Sequence, residues 1–500
     1  MEKALHEALD LWAAQWPEDV ALISSTGRRM TYRELSALSR SIAHSLRKMG
    51  VSKGDAVALV AYNSVELVAA FFGCVRSGAA AVMVDPATMS EDLRFQLEDS
   101  RSRVVVADSA VLERELGTFK EAGVERVLLL DGDRGPKGDG VEVKGLPELA
   151  SEQPIVSEEV RVDPTKDPAI VFYYAGIAGR TEQVLHSHAA PLRCAEQVAK
   201  VLRIQRGENT MLIVPLQHVL GLIQVLTHLS SGGSVTVLER KGGGFDEMQV
   251  VEVAGRFGVN SIWCVPTLYV RLANRAGEVR LPNGIRYCVS AGGYLPPEAQ
   301  RSFTEAFGVP LVQLYGLTEG WAVTVQPLEM SDRLGTIGLP LPGVEHRIVR
   351  DDGTEVRNPG EVGELHVRSP WIMLGYSDPR DTERAVVDGW LRTGDLVSVD
   401  ETGLLYFRGV KKRMIKYKGY PIFPRDLEEV LKRHPAVKEA LVKGEPDPEV
   451  GERPVGYVVL REGYDGKVSE EELMGFVNSK VAGYKKLRAL RIVRSLEELK

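Results

Sequence analysis

Only four cysteines occur in 500 residues, Cys74, Cys194, Cys264 and Cys288, and no two form a C-x-x-C pair. That spacing argues against a thiolate zinc ribbon and against a disulfide-stapled scaffold. Cys74 and Cys264 sit in apolar runs ("AAFFGCVRSG", "SIWCVPTLYV"), which predicts buried, reduced thiols in a cytoplasmic protein. Long hydrophobic runs are missing too: none reaches about 18 residues, so no membrane span is expected. An excess of one charge is also lacking. The net charge is −7, which gives no electrostatic reason to expect nucleic acid or an anionic membrane as partner. The first twenty residues, "MEKALHEALDLWAAQWPEDV", lack the cationic and apolar stretches of a signal peptide and read as an acidic amphipathic helix. What remains, 44% hydrophobic and 26% charged residues over this length, is a globular chain of two or three domains.

The pattern along the chain is alternating strand and helix. Thr31 and Glu34 form a capping box ahead of the apolar face Leu35, Leu38, Ile42 and Leu46, and Gly50 stops that helix. A buried strand "DAVALVAYN", a helix capped by Ser64 and a strand "AAAVMVD" follow as a βαβ unit. A helix near Met89–Asp99 and the strand "RVVVAD" repeat the theme, and the Gly-rich "DGDRGPKGDGVEVKG" reads as a surface excursion. Alternation resumes from Ala190 to about Ser290. Short strands with turn signals from about Thr336 predict a β-rich subdomain. After a basic run, Arg408–Tyr420, the helices "PRDLEEVLKRH" and "SEEELMGFVNSK" and three strands predict a small α+β domain.

One loop carries chemistry. In "VFYYAGIAGRTEQVLHSH" a strand runs into a turn punctuated by Gly176 and Gly179, and a second strand follows from Val184. Such loops cradle phosphate with backbone amides, yet this one holds Glu182. His186 and His188 share a strand face, but no third ligand stands near them, so a zinc site is not expected.

Several further motifs occur in a set order: "PLQHVLG" (215–221), "SAGGYLP" (290–296), "YGLTE" (315–319), "GWLRTGDL" (389–396) and "IKYKGYPIFPRDLEEVL" (415–431). Together with "TYRELSALSRSIAHSLRKMGVSKGDAVALVAYN" they resemble the adenylate-forming superfamily of acyl-CoA synthetases, peptide-synthetase adenylation domains and beetle luciferases, over nearly the whole chain. The resemblance implies an α/β fold. Two mixed αβα subdomains and a β-rich subdomain (1–408) would meet a hinge (409–413) and a small mobile α+β domain (414–500). It implies two steps: a carboxylic acid attacks the α-phosphate of Mg-ATP to give an acyl-adenylate, and coenzyme A then displaces AMP. By the same resemblance Asp395 holds the ribose hydroxyls, Tyr315 packs on adenine, Thr318 meets the α-phosphate and Glu319 carries Mg²⁺. Gly292, Gly293 and Gly316 let backbone approach the nucleotide. His218 flanks the acyl pocket and gates the thiol tunnel, and Gly419 passes beside pantetheine. Lys411, Lys412, Lys416 and Lys418 face either the phosphates of coenzyme A or solvent. Trp263, Val265, Tyr294, Leu317 and Trp321 lie in or beside the pocket segments and suggest an apolar acid. No nucleic-acid partner and no carrier protein are implied; a homodimer stays open.

The chain departs from the family in three places. The loop Y-T-S-G-T-T-G-x-P-K-G loses its hydroxyls; Thr181 replaces the proline and Glu182 the lysine, with Arg180 beside it. A charge-assisted phosphate contact is worth about 1.5–3 kcal/mol, so a lysine restored at 182 is expected to raise ATP affinity. The hinge G-R-x-K-D reads Gly409-Val410-Lys411-Lys412-Arg413, and the sequence stops at "VRSLEELK", with Lys500 upstream of the family's P-K-T-x-S-G-K segment. Two readings follow: an AMP-forming acyl- or aryl-CoA ligase, or an adenylation-deficient homologue that binds nucleotide or acyl-CoA as an accessory protein or performs only the thioester-forming half.

Overall fold

The computed structural model describes residues 2–132, 140–146, 160–174, 181–239, 245–411, 415–418, 420–422 and 424–496. Among these, the strands form four sheets. Ala56–Val60, Ala80–Met83, Val104–Ala107, Arg126–Leu129 and Pro168–Tyr174 pair in parallel in an eight-stranded sheet. Asn209–Leu212, Ser234–Val237, Ser261–Cys264, Tyr287–Ser290 and Leu311–Leu317 do the same in a nine-stranded sheet. The near-continuous apolar runs of these strands are explained by their burial on both faces. Val57 and Leu59 point into one core and Ala58 and Val60 into another, as the two-residue side-chain period requires.

Local signals hold up in detail. The Thr31–Glu34 box is formed in both directions at the start of Tyr32–Lys48, and Ser64 caps Val65–Arg76. These two helices pack so closely that a Cβ on Gly73 would lie 2.5 Å from Ile42 Cγ2. The amphipathic start becomes the helix Leu5–Gln15, tied down by Arg76, whose buried guanidinium bonds both oxygens of Asp10 at 2.7 and 2.9 Å. All four cysteines are buried and free, and burial raises each thiol's pKa.

The Gly-rich excursion is only partly that. Residues 133–139 lie outside the described residues, but Glu142–Gly145 adds an edge strand parallel to Arg126–Leu129. Beyond Leu339 the β-rich part is a five-stranded sheet of Glu345–Val349, Gly363–Arg368, Val386–Val387, Trp390–Val399 and Leu405–Val410. Sheet membership changes between Val410 and Ile415. From there Ile415–Tyr417, Tyr420–Ile422, Val437–Asp447, Gly451–Leu460 and Ala489–Ile492 build the sheet of a small C-terminal α+β domain, with the helices Pro424–Lys432 and Glu470–Asn478. That domain has its own apolar core. No described helix is long and apolar enough to cross a membrane.

Candidate active site

A cavity of about 230 Å³ opens where the carboxyl ends of the parallel strands from both large sheets converge, the usual place for a ligand in open α/β sheets. Asp85 follows Ala80–Met83, Val214 follows Asn209–Leu212, Val265 follows Ser261–Cys264 and Gly292 follows Tyr287–Ser290. Phe172 and Tyr174 come from Pro168–Tyr174. Leu311–Leu317 then turns tightly into the antiparallel strand Trp321–Val325, so that residues 317–320 form a hairpin tip carrying Thr318 and Glu319.

Close backbone approach dictates that hairpin. A Cβ on Gly316 would lie 2.2 Å from the carbonyl oxygen of Trp321, so glycine is required there by the protein's own main chain. Trp321 takes a left-handed backbone, φ +53°, which costs a bulky residue on the order of 1–2 kcal/mol. Gly292 is left-handed as well, φ +75°, and its open face lines the cavity. Gly293 is half-buried and stands outside the lining.

The expected nucleotide residues gather in one buried cluster. The Tyr315 hydroxyl donates to Asp395 Oδ2 at 2.6 Å, and the Tyr376 hydroxyl donates to Glu319 Oε1 at 2.5 Å. Burial pushes the Asp395 carboxyl up, against the pull of Lys416 and Tyr315. Burial likewise raises Glu319, with Tyr376 opposing and the charge of Asp395 adding to the rise. Tyr174 is held protonated by burial and by both acids. Glu319, a buried carboxyl raised further by the charge of Asp395, is a ligand whose charge a divalent cation would relieve. Val410, where the family has arginine, pairs directly across the ladder from Asp395.

His218 immediately precedes the helix Val219–Ser230 and faces the cavity. Its Nε2–H donates to Asp85 Oδ2 at 3.0 Å, and its ring meets Tyr420 edge-on at 5.5 Å. Tyr420 stacks on Tyr484 at 4.6 Å, and both tyrosines and Lys416 line the cavity from the small domain. Sequence reasoning missed Asp85, Tyr484 and Phe172. The one available signal was position: Asp85 ends a buried strand, where ligand-facing residues of such sheets stand.

Other candidates fall elsewhere. The Lys411 ammonium is engaged by Glu364 and Asp351, each at 2.9 Å, and is not among the residues that line the cavity. Lys418 is left-handed and lies over the Tyr417 ring at 5.4 Å. Gly176, Gly179, Arg180, Lys412, Arg413, Gly419 and Lys500 lie outside the described residues. Thr181 is half-buried just before the second strand. Glu182 is not in a loop: it is the first residue of Glu182–Ser187, paired with Tyr174 and buried. Its carboxylate gathers with those of Asp378 and Asp381, their oxygens within 4.8 Å of one another, beside Arg380 and Arg384. Among the described residues this is the one grouping of three or more acidic, histidine or cysteine ligand atoms, and it includes neither His186 nor His188. His186 instead donates from Nε2 to the Thr318 carbonyl at 2.8 Å and accepts at Nδ1 from Trp321 Nε1–H at 2.9 Å. His188 precedes the helix Ala189–Leu202 and meets the His6 ring edge-on.

Comparison with known proteins places this arrangement. The AMP-binding enzyme family matches residues 9–377, and the AMP-binding enzyme C-terminal domain matches 426–499. The chain is 31% identical to 4-coumarate–CoA ligase-like 4 of Oryza sativa subsp. japonica, covering 95% of this chain and 87% of that protein. It is 29% identical to a long-chain-fatty-acid–CoA ligase of Bacillus subtilis, covering 99% and 92%. Its structure superposes on a double mutant of o-succinylbenzoate CoA synthetase from Bacillus subtilis, bound with the product analogue OSB-NCoA, with a TM-score of 0.86 at 29% identity over 99% of this chain and 96% of that one. The same synthetase in complex with AMP gives 0.72 at 28% identity, over 99% and 95%. The chain belongs to the AMP-binding, adenylate-forming enzyme family.

Proposed function

We propose that the protein is an AMP-forming acid–CoA ligase. The carboxylate of an apolar acid attacks the α-phosphate of ATP, forming the acyl-adenylate and releasing pyrophosphate. The thiol of coenzyme A then attacks the acyl carbon, and AMP leaves with the bonding electron pair. The observation that carries this reading is the composition of one cavity. Its walls combine the hairpin tip at Gly316–Thr318, an apolar lining, and Lys416, Tyr420 and Tyr484 from the small domain.

In this reading Asp395 accepts from the ribose hydroxyls, and the Tyr315 hydroxyl holds its carboxylate in place. Thr318 offers its hydroxyl to the α-phosphate, and Lys416 adds the positive charge that the departing AMP phosphate needs. Glu319 is the residue that would hold Mg²⁺, which when bound neutralises phosphate charge. His218, oriented by Asp85, stands where the small domain meets the cavity and positions the incoming thiol. Residues 409–413 serve as the hinge in this reading, supported by Val410 ending a strand of one sheet and Ile415 beginning a strand of another. The greater likeness to the product-analogue form of the Bacillus synthetase supports a resting arrangement suited to thioester formation.

The test is AMP release from Mg-ATP with a panel of carboxylic acids, with and without coenzyme A, together with acid-dependent pyrophosphate exchange into ATP. Acid-dependent exchange and thioester formation are expected. AMP or acyl-CoA binding without any exchange across the panel would overturn the ligase reading.

A further inference from the structure

Among the described residues, one side of the cavity is walled by aromatic rings. Trp321 lines it yet is fully buried, so its outer face is packed inside the protein. Its ring meets Phe172 at 5.6 Å and His186 at 5.0 Å, both edge-on, and Phe172 meets His186 at 5.9 Å. The three rings close on one another. Trp371, buried as well, donates from Nε1–H to the carbonyl of Ala322, the residue after Trp321, at 3.0 Å.

Hydrogen bonds fix this wall as well as packing does. His186 accepts from Trp321 at Nδ1 and donates to the Thr318 carbonyl from Nε2. Both bonds are met at once by a single neutral tautomer, and burial lowers the imidazole pKa to about 4, so that form prevails at neutral pH. One imidazole thus ties this wall of the cavity to the main chain of the phosphate-facing tip.

Size follows from this. An apolar cavity of about 150 Å³ accommodates benzene. The cavity here is about 230 Å³ and must also admit the reacting phosphoryl end beside Gly316 and Thr318. That leaves room for one ring or a similarly compact branched group. The other apolar walls are Ile223, Val265, Leu314 and Leu317, and among the described lining residues the lysine, Lys416, comes from the small domain, where the proposed reading gives it to the phosphate.

We propose that the Phe172–Trp321–His186 wall restricts this enzyme to compact, apolar monocarboxylic acids of about one ring in size and excludes long acyl chains, with Trp321 as the specificity-determining residue and His186 as the residue that positions it. The inference rests on the ligase reading and names the substrate class of that site. It separates two kinds of relative, since both a 4-coumarate–CoA ligase-like protein and a long-chain-fatty-acid–CoA ligase are similar to this chain.

The experiment measures binding of N-acylsulfamoyl adenosines, unreactive mimics of the acyl-adenylate, to the full-length protein by calorimetry, with benzoyl, hexanoyl and dodecanoyl groups. In an open tunnel each added methylene would tighten binding about fourfold. The wall predicts the reverse: the dodecanoyl compound binds at least about thirtyfold more weakly than the benzoyl compound. Trp321→Ala should shrink that gap to less than about threefold. His186→Phe keeps a ring but removes both hydrogen bonds, and should relax the size profile while leaving the benzoyl compound bound. A merely structural role would weaken all three compounds alike. The wild-type series stands without either variant. Equal or tighter binding of the dodecanoyl compound overturns the size limit and leaves the ligase reading intact. Failure of all three to bind overturns both.

Discussion

Glu319 should cost the protein stability in return for its place in the site, and Glu319→Gln should recover it. The carboxyl is 4% exposed and its pKa is raised, chiefly by burial, with Tyr376 as the hydrogen-bond donor that opposes the shift. A carboxyl whose folded pKa exceeds its unfolded value binds more protons in the folded state across the interval between them. Unfolding free energy therefore falls as pH rises through that interval, from about 4.5 upward, and stays lower above it. Glutamine removes the ionisation and keeps an oxygen to accept from Tyr376. A buried ionised group with incomplete partners costs about 1–3 kcal/mol, and the new amide hydrogens return part of that, leaving a gain of about 1 kcal/mol. In a chain of this length that is a Tm rise of roughly 1–2 °C. The assay is thermal unfolding of both proteins in magnesium-free buffer from pH 4 to 8. The variant should be the more stable at pH 7.5, and the difference should vanish toward pH 4. Asp395 titrates in the same sense, so part of the slope survives in the variant. A variant that is less stable at pH 7.5, or a difference that ignores pH, would refute the argument. Magnesium-dependent activity should be lost in either case.

Gly73→Ala should destabilise by about 1–3 kcal/mol, because its Cβ would sit 2.5 Å from Ile42 Cγ2 between two packed helices. Gly117→Ala, exposed within Ser109–Glu121 with nothing within 4 Å, should instead stabilise by about 0.5–1 kcal/mol; urea midpoints check both, and a shared sign would contradict the packing argument. Asp92→Asn removes the contact with Lys485 of the small domain, 3.6 Å away, while Lys485 keeps Asp426 at 3.2 Å. With Asp92 partly exposed, the loss is at most about 1 kcal/mol. It should appear as a slower, less salt-sensitive thioester-forming half-reaction from supplied acyl-adenylate, with global stability unchanged; a drop in overall Tm would assign the contact to folding instead. Glu182→Lys should leave the KM for ATP within about twofold, since the new ammonium would meet Asp378 and Asp381; a fall of about tenfold, 1.4 kcal/mol, would show that residue 182 turns to the phosphates after all.

That last expectation reverses the one drawn from the sequence, and the reason is a strand boundary. A gap of loop residues and a first β-branched position at Val184 place Glu182 in the loop. The ladder extends two residues further, pairing Tyr173 with Gln183 and Tyr174 with Glu182, and this carries the carboxylate to the side of Asp378 and Asp381. Buried parallel strands and capped helices were legible because their signals are local: apolar period, a box of four residues, a closing glycine. The hairpin tip was legible through "YGLTE", although the sequence could not say that Gly316 is there for the Trp321 carbonyl. The contacts that define the pocket join distant parts of the chain. Asp85 meets His218 across 133 residues, and His186 meets Trp321 across 135. The basic run misled in a simpler way. Lys411 and Lys416 read as one cationic face, but the chain changes sheets between them, so Lys411 serves Glu364 and Asp351 while Lys416 enters the cavity.

The way the small domain is attached suits a two-step reaction. Its apolar core, Ile415, Ile422, Leu427, Val437 and their neighbours, is a cluster of its own and shares no buried apolar residue with the core of the large part. Among the described residues, the contacts across the cleft include the ring pair His218–Tyr420, Lys416 over the Phe407 ring at 5.9 Å, the exposed Arg433–Glu91 pair at 2.7 Å and the Lys485–Asp92 contact. The exposed Arg433–Glu91 pair is worth about 0–1 kcal/mol, and at 3.6 Å from a partly exposed Asp92 the better-buried Lys485 adds little more. An interface of that strength can be lost without unfolding either side. Yet the same docking brings Lys416, Tyr420 and Tyr484 to the cavity. The residues that complete the site therefore stand on the part of the molecule held by the weaker set of contacts, so occupancy of the cavity and docking of the small domain are coupled.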